Sequence, residues 1–211
     1  EMSTATNLQE FETALRKLQM PLLTVMYADR DGHILHLFGG QTPVRSSGDW
    51  TFWSGVVPGD TSATLWTEVH AYDDLPRVVD PESGWLQNAN EPPWITTLPL
   101  ALDPDDYPPY MAPRTVSEQG AERAARVRFR AQRSARMLAE DESITFDELV
   151  DYKQSTRMEL ADRILDDLAI AVDTHGSEPA KRALAVLEGW DRTADAESRG
   201  AVLFVRFVEE L

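Results

Sequence analysis

The chain has 211 residues, a hydrophobic content of 42%, no cysteine and a formal net charge of −16. This length is enough for one large domain or two small ones with a sizeable core. The acidic balance disfavours nucleic acids and anionic membrane surfaces as partners. The absence of cysteine excludes disulfides and thiol chemistry but leaves the compartment open. No apolar run approaches the ~20 residues of a membrane-spanning helix.

Short strands and turns are predicted for the first part of the chain, after one helix. Apolar residues recur at helical spacing from Leu8 to Leu18, and Thr6 or Asn7 can cap the start of this helix. The apolar, β-prone run from Leu22 to Ala28 follows.

A hairpin is predicted where the run Leu22–Ala28 meets a second run, His33–Phe38, through the turn signal of residues 29–32. Thr51–Val57 and Leu65–Val69 are aromatic and β-branched, which predicts two further short strands.

A change of pattern divides the chain near residue 98. Residues 92–113 hold seven of the thirteen prolines, which predicts an extended connector. Beyond it the apolar period is helical, and Thr145 with Glu148 forms a capping-box signature. We therefore predict an α+β fold without strands beyond Leu100. Its parts are a sheet-bearing part at 1–98, a connector at 99–116 and a helical part at 117–211.

The central segment Gly84–Trp94 links the two patterns. If it is extended, Asn88 and Asn90 project from the same face, and the two prolines that follow stop any central strand. An asparagine NH2 at a strand end is a neutral donor suited to an oxygen that becomes negative during a reaction. The alternative is that the cluster is only a turn, since Asn, Glu and Pro favour turns.

This segment resembles the pattern G-x-x-x-N-x-N-x-x-P of the penicillin acylase family, a group of N-terminal-nucleophile amide hydrolases. Other family-like motifs occur in family order at family-like spacing, with an aspartate at position 80 where the family usually has asparagine. They are Tyr27–Ile34, Pro43–Arg45, Trp53–Gly55 with Pro58–Gly59, and Leu75–Gly84.

The resemblance implies part of an αββα sandwich followed by a helical subdomain. It also implies acyl transfer from a linear amide to an N-terminal nucleophile, then to water. That nucleophile lies outside this sequence, so the chain is expected to be a β-chain fragment of a self-cleaving precursor, inactive alone. By the family match, Asn90 donates to the oxyanion, and Asn88 supports the turn. We therefore expect the Asn90 amide to be partly solvent-accessible at the end of a strand, with Asn88 more buried and more fully hydrogen-bonded.

A second role carried over from the family is that of an arginine that orients the nucleophile's hydrogen bonds. Counting back from Ile144–Thr145, which resembles a family helix start, gives Arg130. Seven of the seventeen arginines lie between residues 114 and 136, and for most of them we prefer structural pairing with the acidic excess. For Arg130 both interpretations stay open. The seven are Arg114, Arg123, Arg126, Arg128, Arg130, Arg133 and Arg136.

No catalytic cofactor or metal site is predicted. His33 and His36 would face opposite sides of a strand and cannot easily share a metal. Because many family members bind calcium, the resemblance allows calcium in the full-length parent, although its ligands cannot be matched here.

The expected partners are the missing precursor segments, namely the α-chain and the N-terminal part of the β-chain, and a small acylated amide. The resemblance alone favours a periplasmic or secreted location. The alternative function is a non-catalytic assembly or binding module that keeps the acylase scaffold.

Overall fold

The computed structural model describes residues 1–114 and 121–210, and for residues 121–128 it describes the backbone alone. Within these ranges the chain has a mixed α+β structure, as predicted. The strands are β1 (Leu23–Ala28), β2 (Ile34–Gly39) and β3 (Arg77–Val79). The helices are α1 (Leu8–Leu15), α2 (Trp50–Ser54), α3 (Ala121–Ala139), α4 (Phe146–Gln154), α5 (Glu159–His175), α6 (Glu178–Glu188) and α7 (Arg199–Glu209). Short 3-10 turns lie at Met2–Thr4, Ser62–Thr64, Tyr72–Asp74, Pro93–Ile95 and Pro104–Asp106.

The chain divides into two compact units, Glu1–Ala131 and Gln132–Leu211. The predicted limits of the sheet-bearing part, connector and helical part stay a prediction. No helix in the described ranges is long and apolar enough to cross a membrane.

The predicted hairpin is confirmed. β1 and β2 pair antiparallel, in a register that runs from Leu23 opposite Gly39 to Ala28 opposite Ile34. The Asp29 carboxylate closes the turn, because one of its oxygens accepts hydrogen bonds from two later backbone N–H groups at 2.9 and 3.0 Å. Such side-chain acceptance is the reason aspartate favours turns.

The core of the first unit lies on one face of β2. Leu35 and Leu37 alternate along the strand and pack with Leu15 of α1 and with Tyr72 and Leu75. Asn7 caps α1, because its side chain accepts from the Glu10 N–H at 2.9 Å. Asn7 was one of the two predicted caps, with Thr6 as the other.

His36 points from the other face of β2 and is fully buried. Neither of its ring nitrogens has a hydrogen-bond partner in the described part of the chain. Burial lowers the pKa of His36 to about 4, because a charged imidazolium would have to be desolvated. This imidazole is therefore neutral at ordinary pH.

The prediction of a strand at Thr51–Val57 is wrong. Residues Trp50–Ser54 form helix α2, and the Asp49 carboxylate caps it by accepting from the Phe52 N–H at 2.9 Å. The capping aspartate outweighs the aromatic, β-prone composition of this short stretch.

The prediction of a strand at Leu65–Val69 is also wrong. Val69 forms only an isolated bridge with Pro43, made by hydrogen bonds from the Val44 N–H to the Glu68 carbonyl at 3.0 Å and from the His70 N–H to the Thr42 carbonyl at 2.9 Å. The third strand of the sheet is β3 instead, which pairs antiparallel with β2. Among the described residues beyond Leu100 there is no strand, as predicted, although Arg157 and Thr193 form an isolated bridge.

Part of the proline-rich connector is packed into the first unit. Met111 and Ala112 are fully buried. The Arg114 guanidinium donates to the Tyr107 carbonyl at 2.7 Å and to the Asp105 carboxylate at 2.9 Å. These contacts fold the end of the connector back on itself.

The second unit has its own core between α5, α6 and α7, built around Leu165, Leu187, Trp190 and Phe204. The predicted capping box of α4 is confirmed: Thr145 accepts from the Glu148 N–H at 3.3 Å, and the Glu148 carboxylate accepts from the Thr145 N–H at 2.8 Å.

Close packing at the start of α7 leads to a stability prediction. A Cβ built on Gly200 would lie 2.3 Å from Cγ of Trp190, which is closer than real Cβ contacts. We expect Gly200→Ala to lower the free energy of unfolding by about 1–3 kcal/mol, because the Trp190 ring and helix must move apart. Thermal or urea unfolding monitored by circular dichroism measures this loss.

The matched control is Gly189→Ala. The atoms nearest to a Cβ at this position are 3.9 Å away, and its φ of −82° suits alanine. We expect a change within about 0.5 kcal/mol. Equal stability of the two variants would contradict the packing argument.

Candidate active site

The central segment forms a tied loop. The Gln87 N–H donates to the Thr96 carbonyl at 2.8 Å, and the Thr96 hydroxyl donates to the Gln87 carbonyl at 2.8 Å. The Gln87 side-chain amide donates to the Ile95 carbonyl at 2.6 Å. From inside the loop, the buried Trp94 indole donates to the Pro113 carbonyl at 2.7 Å. These bonds fix both ends of the stretch that carries the two asparagines.

Asn88 and Asn90 lie in a turn inside this loop, so the prediction that Asn90 ends a strand is wrong. The Asn88 Oδ1 accepts from the Asn90 N–H at 3.1 Å, which forms an Asx turn. Asn90 has a φ of +67°, in the left-handed region that asparagine tolerates better than most residues. The side-chain oxygen of Asn88 therefore shapes the backbone at Asn90.

The exposure of the two asparagines agrees with the prediction. Asn90 is exposed and Asn88 is half-buried. The richer hydrogen bonding expected for Asn88 is not found: among the described residues each of the two amides accepts one hydrogen bond.

Arg130 contacts the same turn from α3, and all these residues belong to the first unit. Its Nη2 donates to the Asn90 Oδ1 at 3.0 Å and to the Ala89 carbonyl. The two residues assigned from separate family motifs, 40 positions apart in sequence, thus form one contact. Their catalytic roles stay predictions.

The contact sets the orientation of the Asn90 amide. A guanidinium can only donate hydrogen bonds, so the atom that faces it must be the amide oxygen. The Nδ2 group then points away from Arg130, and it has no hydrogen-bond partner among the described residues. The positive charge on the oxygen side also polarises the amide, which makes its N–H groups better donors. The pair can therefore present an oriented donor to an anionic oxygen.

Glu91 was missed by the sequence analysis. Glu91 directly follows Asn90 in the sequence and is 3% exposed. Both of its carboxyl oxygens are buried, and neither has a hydrogen-bond partner in the described ranges. Desolvation raises the pKa of Glu91 to about 7, although the positive charge of Arg130 acts in the opposite direction. The only sequence signal was a charged residue next to two prolines, and charged residues are rarely buried without a partner.

Arg114 contacts Asp105, as described above. The remaining arginines of the predicted cluster divide into two groups. Arg133 lies 3.9 Å from the Asp162 carboxylate, and Arg136 lies 2.9 Å from Glu140 and 3.7 Å from Glu159. These contacts fit the structural interpretation. The side chains of Arg123, Arg126 and Arg128 lie outside the described residues.

The family is established by comparison. A family model described as penicillin amidase matches residues 1–211. The chain therefore belongs to the penicillin amidase family, which is a family of amidohydrolases.

The buried Glu91 carboxyl leads to a prediction on pH and stability. Its pKa is about 7 in the folded chain and ordinarily 4.5. Protonation of Glu91 therefore stabilises the fold fully below pH 4.5, and this contribution is lost as the pH rises through 7. We expect Glu91→Gln to exceed the wild type by about 3 kcal/mol at pH 8 and to equal it at pH 4.5. Urea unfolding across this pH range measures the difference.

The matched control is Glu82→Gln, since Glu82 is exposed on the same stretch of chain. Its stability should follow the wild-type curve at every pH. If Glu91→Gln also follows that curve, the Glu91 carboxyl does not titrate abnormally.

Proposed function

We propose that this chain is part of the catalytic β-chain of a penicillin-acylase-like hydrolase that cleaves linear amide bonds. The observation that carries the proposal is the hydrogen bond of 3.0 Å between Arg130 and the Asn90 amide oxygen. This contact supports the proposal because it joins two residues that were assigned to family roles from separate motifs, and because it leaves the Asn90 NH2 oriented as an oxyanion donor.

The proposed reaction is acyl transfer. An N-terminal nucleophile, upstream of the residues matched here, attacks the amide carbonyl and uses its own α-amino group as the base. Such a group titrates near ~7.7–8.0, close to working pH. Asn90 Nδ2 donates to the oxygen that becomes negative in the tetrahedral intermediate. Arg130 holds the amide in the donating orientation. The intermediate then collapses as the C–N bond breaks, and the amine leaves with the proton from the α-ammonium group. Water, deprotonated by the same α-amino group, hydrolyses the acyl-enzyme to the free acid and restores the nucleophile.

The wider arrangement is part of the same proposal. β1, β2, β3 and α1 form part of an αββα sandwich whose remaining layers come from other segments of a self-cleaving precursor. The substrate is a small acylated amide, with neither nucleic acid nor membrane as a partner. Catalysis needs no cofactor. By the family resemblance, the full-length parent can bind calcium and its location is extracytoplasmic.

The decisive experiment uses the processed enzyme expressed from the full reading frame that contains this chain. We expect Asn90→Ala to lower kcat by about a hundredfold or more, because one oxyanion donor contributes ~3–4 kcal/mol to barrier lowering. Stability should fall by about 1 kcal/mol, because the Asn90 side chain is exposed but alanine tolerates the φ of +67° less well than asparagine. The measurement is amine release from a panel of acyl amides, including a penicillin and an acyl-homoserine lactone.

The matched control is Asn88→Ala, which removes the acceptor of the Asx turn and should lower the melting temperature. The 211-residue chain without a nucleophile should release no amine above the buffer rate. Unchanged turnover of Asn90→Ala would refute the site. A reading frame without a self-cleavage junction would favour the alternative, a non-catalytic module on the acylase scaffold.

A further inference from the structure

The Glu91 carboxyl is a buried ionisable group that the proposed reaction does not use. It adjoins the Asn90 peptide, is 97% removed from solvent, and neither of its oxygens is paired in the part of the chain that the structure describes. A neutral carboxyl can remain in such a place at moderate cost, but an unpaired buried carboxylate cannot. Ionisation of Glu91 must therefore be accompanied by a rearrangement around it.

Arg130 offers one means of compensation. The positive charge of the Arg130 guanidinium favours the ionised form of Glu91 and so lowers its pKa, against the effect of burial. The same guanidinium donates through Nη2 to the Asn90 Oδ1 and the Ala89 carbonyl. A carboxylate is a stronger acceptor for a guanidinium than an amide or peptide oxygen. An ionised Glu91 thus competes with Asn90 for Arg130.

We propose that Glu91 is a positioning residue: in its neutral form it leaves Arg130 on the Asn90 amide, and in its ionised form it draws Arg130 away. Loss of the guanidinium frees the Asn90 amide to rotate, so its NH2 is no longer held toward the reacting oxygen. The significance of this control for catalysis rests on the proposed function, whereas the coupling between the three side chains does not.

The coupling is measured on the 211-residue chain by NMR. In the isotope-labelled wild type we expect the Asn90 side-chain NH2 signals and the Glu91 carboxyl carbon to shift together, with a common midpoint near pH 7 instead of the ordinary 4.5. In Glu91→Gln, which mimics the neutral acid, the Asn90 signals should stay at their acid-side positions up to pH 8.5. The exposed Glu82→Gln variant should reproduce the wild-type titration.

A second variant keeps the test decisive if Glu91→Gln fails to fold. In Arg130→Met the Glu91 midpoint should move above the wild-type value, because the cation that favours the carboxylate is gone. The Asn90 signals should then no longer follow that midpoint. Asn90 signals that still titrate with Glu91 in Arg130→Met, or that do not titrate near pH 7 in the wild type, would overturn the proposal.

Activity of the processed enzyme separates this proposal from the proposed function. The α-amino base raises kcat with pH in both enzymes, so the effect of Glu91 is measured as a ratio: the kcat of Glu91→Gln divided by the kcat of the wild type should rise through a midpoint near pH 7, while KM is unchanged. If the NMR coupling appears but Asn90→Ala remains fully active, the hydrolytic role of the site fails and the coupling stands. If Asn90→Ala is inactive but the NMR coupling is absent, the positioning role of Glu91 fails and the proposed function stands.

Discussion

The candidate site depends on the hydrogen bonds that join Gln87 to Ile95 and Thr96. They close a short loop whose interior contains two prolines and an Asx turn, so few backbone conformations remain available. The left-handed conformation at Asn90 is costly for a free chain, and the closed loop maintains it. Arg130 therefore meets a peptide whose shape is already fixed, and its single guanidinium can engage a carbonyl and a side-chain amide together.

Local signals in the sequence predicted the elements that local interactions build. The hairpin turn at Asp29, the Asn7 cap and the Thr145–Glu148 capping box all involve partners within a few residues. One failure has an identifiable cause, since Asp49 caps a helix where composition favoured a strand. At Leu65–Val69 the structure has only a single bridge, between Val69 and Pro43. Within the candidate site, the family match selected Asn90 and Arg130. The burial of Glu91 was not predictable, because it depends on packing around a tied loop.

The aspartate at position 80 stands where the family resemblance led us to expect asparagine, and the structure explains how it fits there. Asp80 has a φ of +46°, a region that both residues tolerate, and its Oδ1 accepts from the Ile34 N–H at 2.8 Å. An amide oxygen can make that bond equally well. The second carboxylate oxygen faces the His33 Nδ1 at 2.8 Å and raises the pKa of His33. The aspartate thus adds a partly ionic contact beside the hairpin turn, without disturbing the backbone.

Two buried groups, Glu91 and His36, exchange protons with the solvent when the chain folds. Glu91 has a pKa of about 7 in the fold and ordinarily 4.5, so folding at pH 5.5 takes up nearly one proton there. His36 has a pKa of about 4 in the fold and ordinarily 6.5, so folding at the same pH releases nearly one proton. The two exchanges cancel between about pH 4.5 and 6.5, and their joint contribution to the pH slope of stability is close to zero there. A flat stability profile in mildly acidic solution would therefore conceal two large, opposed ionisation costs.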